Sequence, residues 1–174
     1  LESWGRAMKL YAFNVRWLFE TPDFSSMLDF VEEDRRAKAL SYLLAKDRAL
    51  SLGVGLLLNF ALAREASELP WAPRICFGEH GKPFLMGKGA PKFSLSHAAE
   101  YAACAVGSEQ VGADIEKVGI DDESVARRCF TAAELPRVMP DGRVDAEAFC
   151  RLWTLKESFI KFIGTGLSLD PLRI

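Results

Sequence analysis

The acidic and basic side chains with the types and spacing to act together lie in two stretches of this 174-residue chain, about 40 positions apart. If 110–117 is a strand, Val111, Ala113 and Ile115 face one way while Asp114 and Glu116 face the other. Two carboxylates held on one face repel, raise each other's pKa and invite a cation, and oxygen-only ligands select a hard ion such as Mg²⁺. An exposed sheet face would show the same alternation. The second stretch, 145–163, has helical periodicity: Phe149, Leu152, Trp153, Phe159, Ile160 and Ile163 form an apolar stripe, with Arg151, Thr154 and Ser158 opposite. Glu157 and Lys161 fall on the stripe's flank, where side chains reach from a packed helix into a cleft or form an ordinary i,i+4 surface pair worth ~0.3 kcal/mol. Lys156 projects near the centre of the stripe, where a lysine must snorkel or meet an anion.

Other groups narrow the chemistry. Only two histidines exist, which removes HExxH zinc sites. Ser96 and His97 are adjacent and face opposite ways in a strand, so they make no nucleophile–base pair; His97 either binds phosphate oxygens, with Ser94 and Ser96 nearby, or is structural. Gly53-Val54-Gly55 sits inside a helical pattern, fails the dinucleotide fingerprint and suits helix packing.

These groups need a scaffold. The pattern predicts a strand over 9–18 and helices over 24–63, broken near 43–46. The second of these helices, 47–63, is apolar nearly all round and belongs inside. Turn residues at 71–73 and 78–83 flank a short strand near Ile75, and 87–91 is another turn. Runs at 92–97, 101–107 and 110–117 read as an antiparallel meander. A short helix over 124–130, a helix start at 131–134, a turn at 140–142 and the helix 145–163, stopped by Gly164, complete the chain. Residues 1–7 read as an added leader before Met8, 8–100 as an N-terminal half, and 101–174 as an incomplete C-terminal half carrying the metal site.

Composition excludes several classes. With 49% apolar and 26% charged residues the chain is an ordinary globular one, and a net charge of -2 leaves no whole-surface field for nucleic acid or anionic membrane. Any anion site must be local. Cys76, Cys104, Cys129 and Cys150 form no CxxC pair and read as reduced core residues. No stretch approaches the ~20 apolar residues of a bilayer span, and the start lacks a secretory pattern, so the cytoplasm is expected.

Four segments together carry a family likeness: Gly81-Lys82-Pro83, Phe93-Ser94-Leu95-Ser96-His97, Gly112-Ala113-Asp114-Ile115-Glu116, and Trp153-Thr154-Leu155-Lys156-Glu157-Ser158-Phe159-Ile160-Lys161. Their order resembles the 4'-phosphopantetheinyl transferase superfamily, of the longer single-chain surfactin-synthetase-activator type. The resemblance covers the chain from about Met8 onward. It implies an α+β fold of two pseudo-symmetric halves, antiparallel strands packed with helices and the second half truncated, with the active site between them. It also implies Mg²⁺-dependent transfer of 4'-phosphopantetheine from coenzyme A to a serine of an apo acyl or peptidyl carrier protein, releasing adenosine 3',5'-bisphosphate.

By that likeness Asp114, Glu116 and Glu157 surround Mg²⁺, Glu157 takes the serine proton directly or through a metal-bound water, and Lys161 contacts the pyrophosphate with help from Lys156. Lys82 and Pro83 resemble the loop beside the adenosine, and Ser96 and His97 the binders of its 3'-phosphate. Leu50 stands where family members often carry an arginine for that phosphate; Arg48 is the candidate to compensate, and Arg35 and Lys38 match a basic pair near the pyrophosphate. Arg127 and Arg128 are candidates to meet an acidic carrier, with Phe130 filling an apolar contact or lying in the core. A non-catalytic coenzyme A or carrier-binding module and a Mg²⁺ phosphoesterase are the alternatives.

Overall fold

Small residues decide the centre of the molecule. In the computed structural model, which describes residues 8–174, the strand β5 (Tyr101–Gly107) is buried from Ala102 to Val106 and lies between β1 (Lys9–Asn14) and β4 (Lys92–Ala98), antiparallel to both. A run of Ala, Cys and Val with no polar break is what a strand covered on both faces requires. One face, with Phe93, Ala102, Cys104 and Val106, packs on a long helix. The other places Ala105 against Val111 and Ala113. The leader reading of 1–7 lies outside the described residues. β5, which the sequence reading groups with 101–174, lies between β1 and β4, two strands from 8–100.

Between β1 and that long helix lie a 3₁₀ turn (Arg16–Phe19), α1 (Phe24–Met27) and α2 (Glu33–Ser41). The long helix, α3 (Ala45–Glu65), buries twelve of its residues, as its all-round apolarity predicts. Gly53 and Gly55 serve packing: a Cβ at Gly53 would stand 2.3 Å from Val15 Cγ1, and one at Gly55 2.8 Å from Arg35 Cγ. A two-stranded hairpin follows, β2 (Ile75–Phe77) with β3 (Pro83–Leu85).

The remainder is helical. α4 (Glu123–Cys129) is capped by Asp122, α5 (Leu135–Val138) follows a turn in which Glu134 accepts from the backbone and hydroxyl of Thr131, and α6 (Ala146–Ile163) runs from an Asp145 cap to Gly164 in the left-handed region. Ala126, Phe130, Val138, Met139 and Phe149 form a second core. The apolar stripe expected on α6 is only partly covered, since Phe159 and Ile163 are each 44% exposed. Of the cysteines only Cys104 is fully buried, and burial pushes its thiol up to about 12.

The third strand of the expected meander does not form. Residues 110–117 lie across the face of the sheet rather than along an edge, so their N–H groups meet side chains: Ala113 N donates to Ser94 Oγ at 3.0 Å and Ile115 N to Ser96 Oγ at 3.4 Å. The alternation survives without a ladder, because Val111 and Ala113 still need the apolar face of β5.

Candidate active site

The site is built where 110–117 is trapped between the sheet and α6. Gln110 Nε2 donates to Phe162 O at 2.9 Å at one end, and Cys150 Sγ lies 3.7 Å from Glu116 O at the other, so the segment runs antiparallel to the helix. Gly112 permits the approach. A Cβ there would fall 2.0 Å from Ser158 O and 2.5 Å from Phe162 N, on backbone that cannot give way. The close contact sets Asp114 opposite the α6 face that carries Glu157 and Lys161.

Asp114 is the hub of that face, its side chain only 3% exposed. Its Oδ1 accepts from Ser96 Oγ and from Lys161 Nζ, each at 2.6 Å, and Lys161 also donates to Ser96 Oγ at 2.8 Å. Strand β4, segment 110–117 and α6 are thus joined by one polar knot. Burial and then the charge of Asp114 push the Glu157 carboxyl above its ordinary value, against the pull of Lys161, with Glu116 adding a smaller push. Glu116, although exposed, is raised by partial desolvation and then by Asp114, against the pull of Lys161. Three carboxylates from two elements therefore feel one another.

The donor set suits a hard cation. Among the described residues Asp114 Oδ2 is buried without a hydrogen-bond partner, and the two raised glutamates are carboxylates short of positive charge. Among the described residues, however, no three His, Cys, Asp or Glu side chains are gathered closely enough to grip one ion. Lys161 is the cation that Asp114 holds. The expected convergence is thus present as electrostatic proximity and not as a finished metal cage.

Next to this knot lies a local cationic patch. His97 is exposed near the end of β4, and its pKa is held down by partial desolvation first and then by Lys161, Arg35 and Lys38, with Asp47 opposing. Arg35 and Lys38 line a groove with Phe77, Pro83 and Leu95; across the β3–β4 rim, Pro83 and Leu95 also line a cleft shared with His80, Gly81 and Lys161. An anion reaching from one recess to the other would pass cations at both ends.

A family model for the 4'-phosphopantetheinyl transferase superfamily matches residues 110–174. A 4'-phosphopantetheinyl transferase of Bacillus subtilis is 31% identical over 165 residues, covering 93% of this chain and 73% of that protein. The chain belongs to the 4'-phosphopantetheinyl transferase family. Psf-1 of Bacillus pumilus, another such transferase, is 31% identical over 92% of this chain and 71% of its own length. An L-aminoadipate-semialdehyde dehydrogenase-phosphopantetheinyl transferase of Xenopus laevis is 30% identical over 92% and 61%. A crystal structure of a holo-(acyl-carrier-protein) synthase from Bacillus anthracis in complex with coenzyme A superposes with a TM-score of 0.43 at 15% identity, over 58% of this chain and 93% of that one.

For a transferase of this family, several expected contacts fall elsewhere. Lys156 is 3% exposed and points away from the site: Nζ bonds Glu134 Oε2 at 2.8 Å, Pro171 O at 2.7 Å and Ile174 O at 3.3 Å, above the ring of Phe130. It meets an anion, as its place on the stripe requires, but that anion is Glu134. Phe130 is 1% exposed and stacks edge-on with Phe149 in the second core, so it offers a partner no surface. Leu50 is buried in the first core. Arg48 donates its Nε to Tyr42 O at 2.7 Å, closing the α2–α3 break, and lines neither recess. Ser96 is engaged with Asp114 rather than free beside His97. Lys82 lines the cleft, yet its ammonium turns to backbone carbonyls. Arg127 and Arg128 stay exposed on α4, Arg127 paired with Glu123 at 2.7 Å.

Sequence reasoning missed the work of Ser94 and Gly112. The signal was available in Phe93-Ser94-Leu95-Ser96, where two small polar residues share a strand face otherwise expected to be apolar.

Proposed function

We propose that this chain transfers the 4'-phosphopantetheine group of coenzyme A to a serine hydroxyl of an apo acyl or peptidyl carrier protein in the cytoplasm, releasing adenosine 3',5'-bisphosphate. The observation that carries the reading is the meeting of Asp114, Glu116, Glu157 and Lys161 beside a cationic recess.

Each part of the reaction has a candidate group. The serine oxygen attacks the phosphorus that bears pantetheine, the bond to the bridging pyrophosphate oxygen breaks, and the electron pair leaves on the adenosine bisphosphate. Glu157 is the base that takes the serine proton; its raised pKa brings it nearer the range where a carboxylate is an effective acceptor. Lys161 stabilises charge on the pyrophosphate oxygens, moving from Asp114 or shared with it. His97 holds the 3'-phosphate end, joined there by Arg35 and Lys38, which were expected near the pyrophosphate but act electrostatically on His97, and Pro83 packs beside the nucleoside. Asp114, through its unpartnered Oδ2, would hold Mg²⁺ with Glu116 and Glu157 once their side chains close from the present separation, and the ion would supply charge neutralisation at the diphosphate. Arg127 and Arg128 meet the acidic face of the carrier.

The test is to incubate the protein with coenzyme A, Mg²⁺ and several apo carriers and weigh the carriers. A mass gain equal to one phosphopantetheine group with matching release of adenosine 3',5'-bisphosphate is expected. Coenzyme A binding with no carrier gaining mass would leave a binding module instead, and diphosphate cleavage that proceeds without carrier would make it a phosphoesterase.

A further inference from the structure

We propose that Lys82 is a positioning residue: its ammonium clamps the end of α6 to the 110–117 segment and so keeps Lys161 against Asp114, rather than touching the nucleotide. The inference rests on the transferase reading above.

Lys82 leaves the β2–β3 turn, closed by Gly81 N to Gly78 O and Gly78 N to Lys82 O, each at 2.9 Å. Its Nζ donates to Val111 O at 3.1 Å, to Phe162 O at 3.0 Å and to the carbonyl of Lys161. An ammonium has three N–H donors, and here all three are spent on backbone. Two of the acceptors are last-turn carbonyls of α6, which have no intrahelical partner and form the negative end of the helix dipole. The third, Val111 O, precedes Gly112 and stands three residues before Asp114. One cation therefore fastens both backbones that supply the acidic site.

The stem confirms that the placement is built. Gly164 ends α6 at φ 85°, and a Cβ there would stand 2.9 Å from Lys82 Cδ, so the residue that stops the helix also admits the lysine. Burial lowers the pKa of Lys82, and no acid partner among the described residues offsets it. To reach a phosphate, the ammonium would have to abandon three carbonyls and release the helix end. The same turn lines the cleft with Lys161, through His80, Gly81 and Pro83. A ligand resting on the turn is then read mechanically at Lys161.

Lys82→Met keeps the length and removes the donors. The expected result is a fall in kcat of about 10–100-fold, as for a sub-ångström to one-ångström misplacement, with a coenzyme A Kd measured directly by calorimetry changed by less than about threefold, because no charge-assisted contact to the ligand is removed. Amide hydrogen exchange in the ligand-free protein should speed up at 160–166 and 111–113. A Kd weakened roughly tenfold or more with kcat intact would overturn the clamp in favour of direct ligand contact, and unchanged exchange at those amides would overturn it outright. Should Lys82→Met fail to fold, Lys82→Gln keeps part of the stem and of the donor set, and a smaller rise in the same exchange is expected while its absence counts against the clamp. Hydrogen exchange reads the clamp without turnover, so wild-type protein that modifies no carrier would sink the transferase reading and leave the clamp to be judged on its own.

Discussion

The two long helices are held in place by different physics. α3 buries twelve residues, apolar but for Ser51 and Asn59, and is located by non-directional burial against the sheet. α6 buries Phe149, Ile160 and one lysine, and its outer stripe is half exposed. What locates α6 is directional: Gly112 against its backbone, Asp114 on Lys161, Lys82 on its last carbonyls and Lys156 on Glu134. Burial tolerates small shifts of a helix, whereas hydrogen bonds fix it to a fraction of an ångström. The proposed chemistry sits on the helix that is placed by geometry.

The largest expected effect isolates chemistry from placement. Glu157→Gln keeps size and hydrogen-bonding capacity but removes the base, and transfer should fall by roughly 10²–10⁴-fold. Since burial and the neighbouring acids raise the Glu157 pKa, its charged form works against folding as pH climbs above the ordinary glutamate range. The variant should therefore be at least as stable as the parent near pH 7 in Mg²⁺-free buffer, by thermal melting. Lower stability there together with full activity would remove Glu157 from the site.

Two core changes should separate the helices. Leu52→Ala in α3 should cost about 3 kcal/mol by cavity formation, yet folded molecules should keep kcat within about twofold, since ordinary cavities leave distant groups in place. Gly112→Ala should cost a similar ~2–3 kcal/mol by overpacking, but should also lower kcat by about 10²-fold as α6 and the acid segment are pushed apart. Chemical denaturation supplies the stabilities and single-turnover carrier modification the rates. Equal kcat losses in the two variants would erase the distinction drawn between the helices.

How much of this was legible in the sequence follows the same divide. Burial leaves a periodic trace, so α3, β4, β5, α4 and the limits of α6, from the Asp145 cap to the Gly164 stop, could be read from apolar spacing and caps. The acid residues could be read as a set because 110–117 alternates even where it makes no ladder. Directional contacts leave no such trace. Nothing local in Lys156 tells that Glu134 lies within 2.8 Å of it, and Lys82 at a glycine-flanked turn looks as ready for a nucleoside as for a helix end. Phe130 beside two arginines looks like a surface contact until Phe149 is seen 5.0 Å away. A strand was expected at 110–117 because alternation reports which face a residue takes, and says nothing of whether its N–H meets a carbonyl or a serine hydroxyl.

Lys156→Met tests the buried half of α6. Removing the ammonium leaves Glu134 and two carbonyls without their donor, a loss of about 3 kcal/mol for breaking a largely buried pair. Lys156→Met with Glu134→Leu should recover part of it, because the stranded carboxylate goes too. Burial raises the pKa of Glu134, but hydrogen bonds from Lys156 and Thr131 outweigh it and hold the carboxyl below the ordinary value near 4.5. A depressed folded pKa gives stability that is present above the unfolded value and lost as pH falls through the folded one. The gap in unfolding free energy between parent and Lys156→Met should accordingly be constant near neutrality and narrow below about pH 4.5. A gap that is unchanged down to pH 3 would mean that the ammonium's contacts with the Phe130 ring and with Pro171 O and Ile174 O, and not its pair with Glu134, hold this side of the helix.

The smallest effect belongs to the surface of α4, where neither kind of placement acts. Arg127 is 58% exposed in its side chain and its i,i+4 pair with Glu123 is worth only about 0.3–0.5 kcal/mol, so Arg127→Glu should barely move the melting temperature. If this face greets an acidic carrier, reversing one charge should raise the carrier KM by about 3–10-fold, mainly through the association rate, and the change should shrink as salt is raised because exposed charges are screened within ~10 Å at 0.1 M. The coenzyme A KM should stay put, since the cations proposed for that ligand lie around His97. A rise in carrier KM that persists at 0.5 M salt would point to lost packing rather than steering, and no rise at any salt would move the carrier's footprint off α4 altogether.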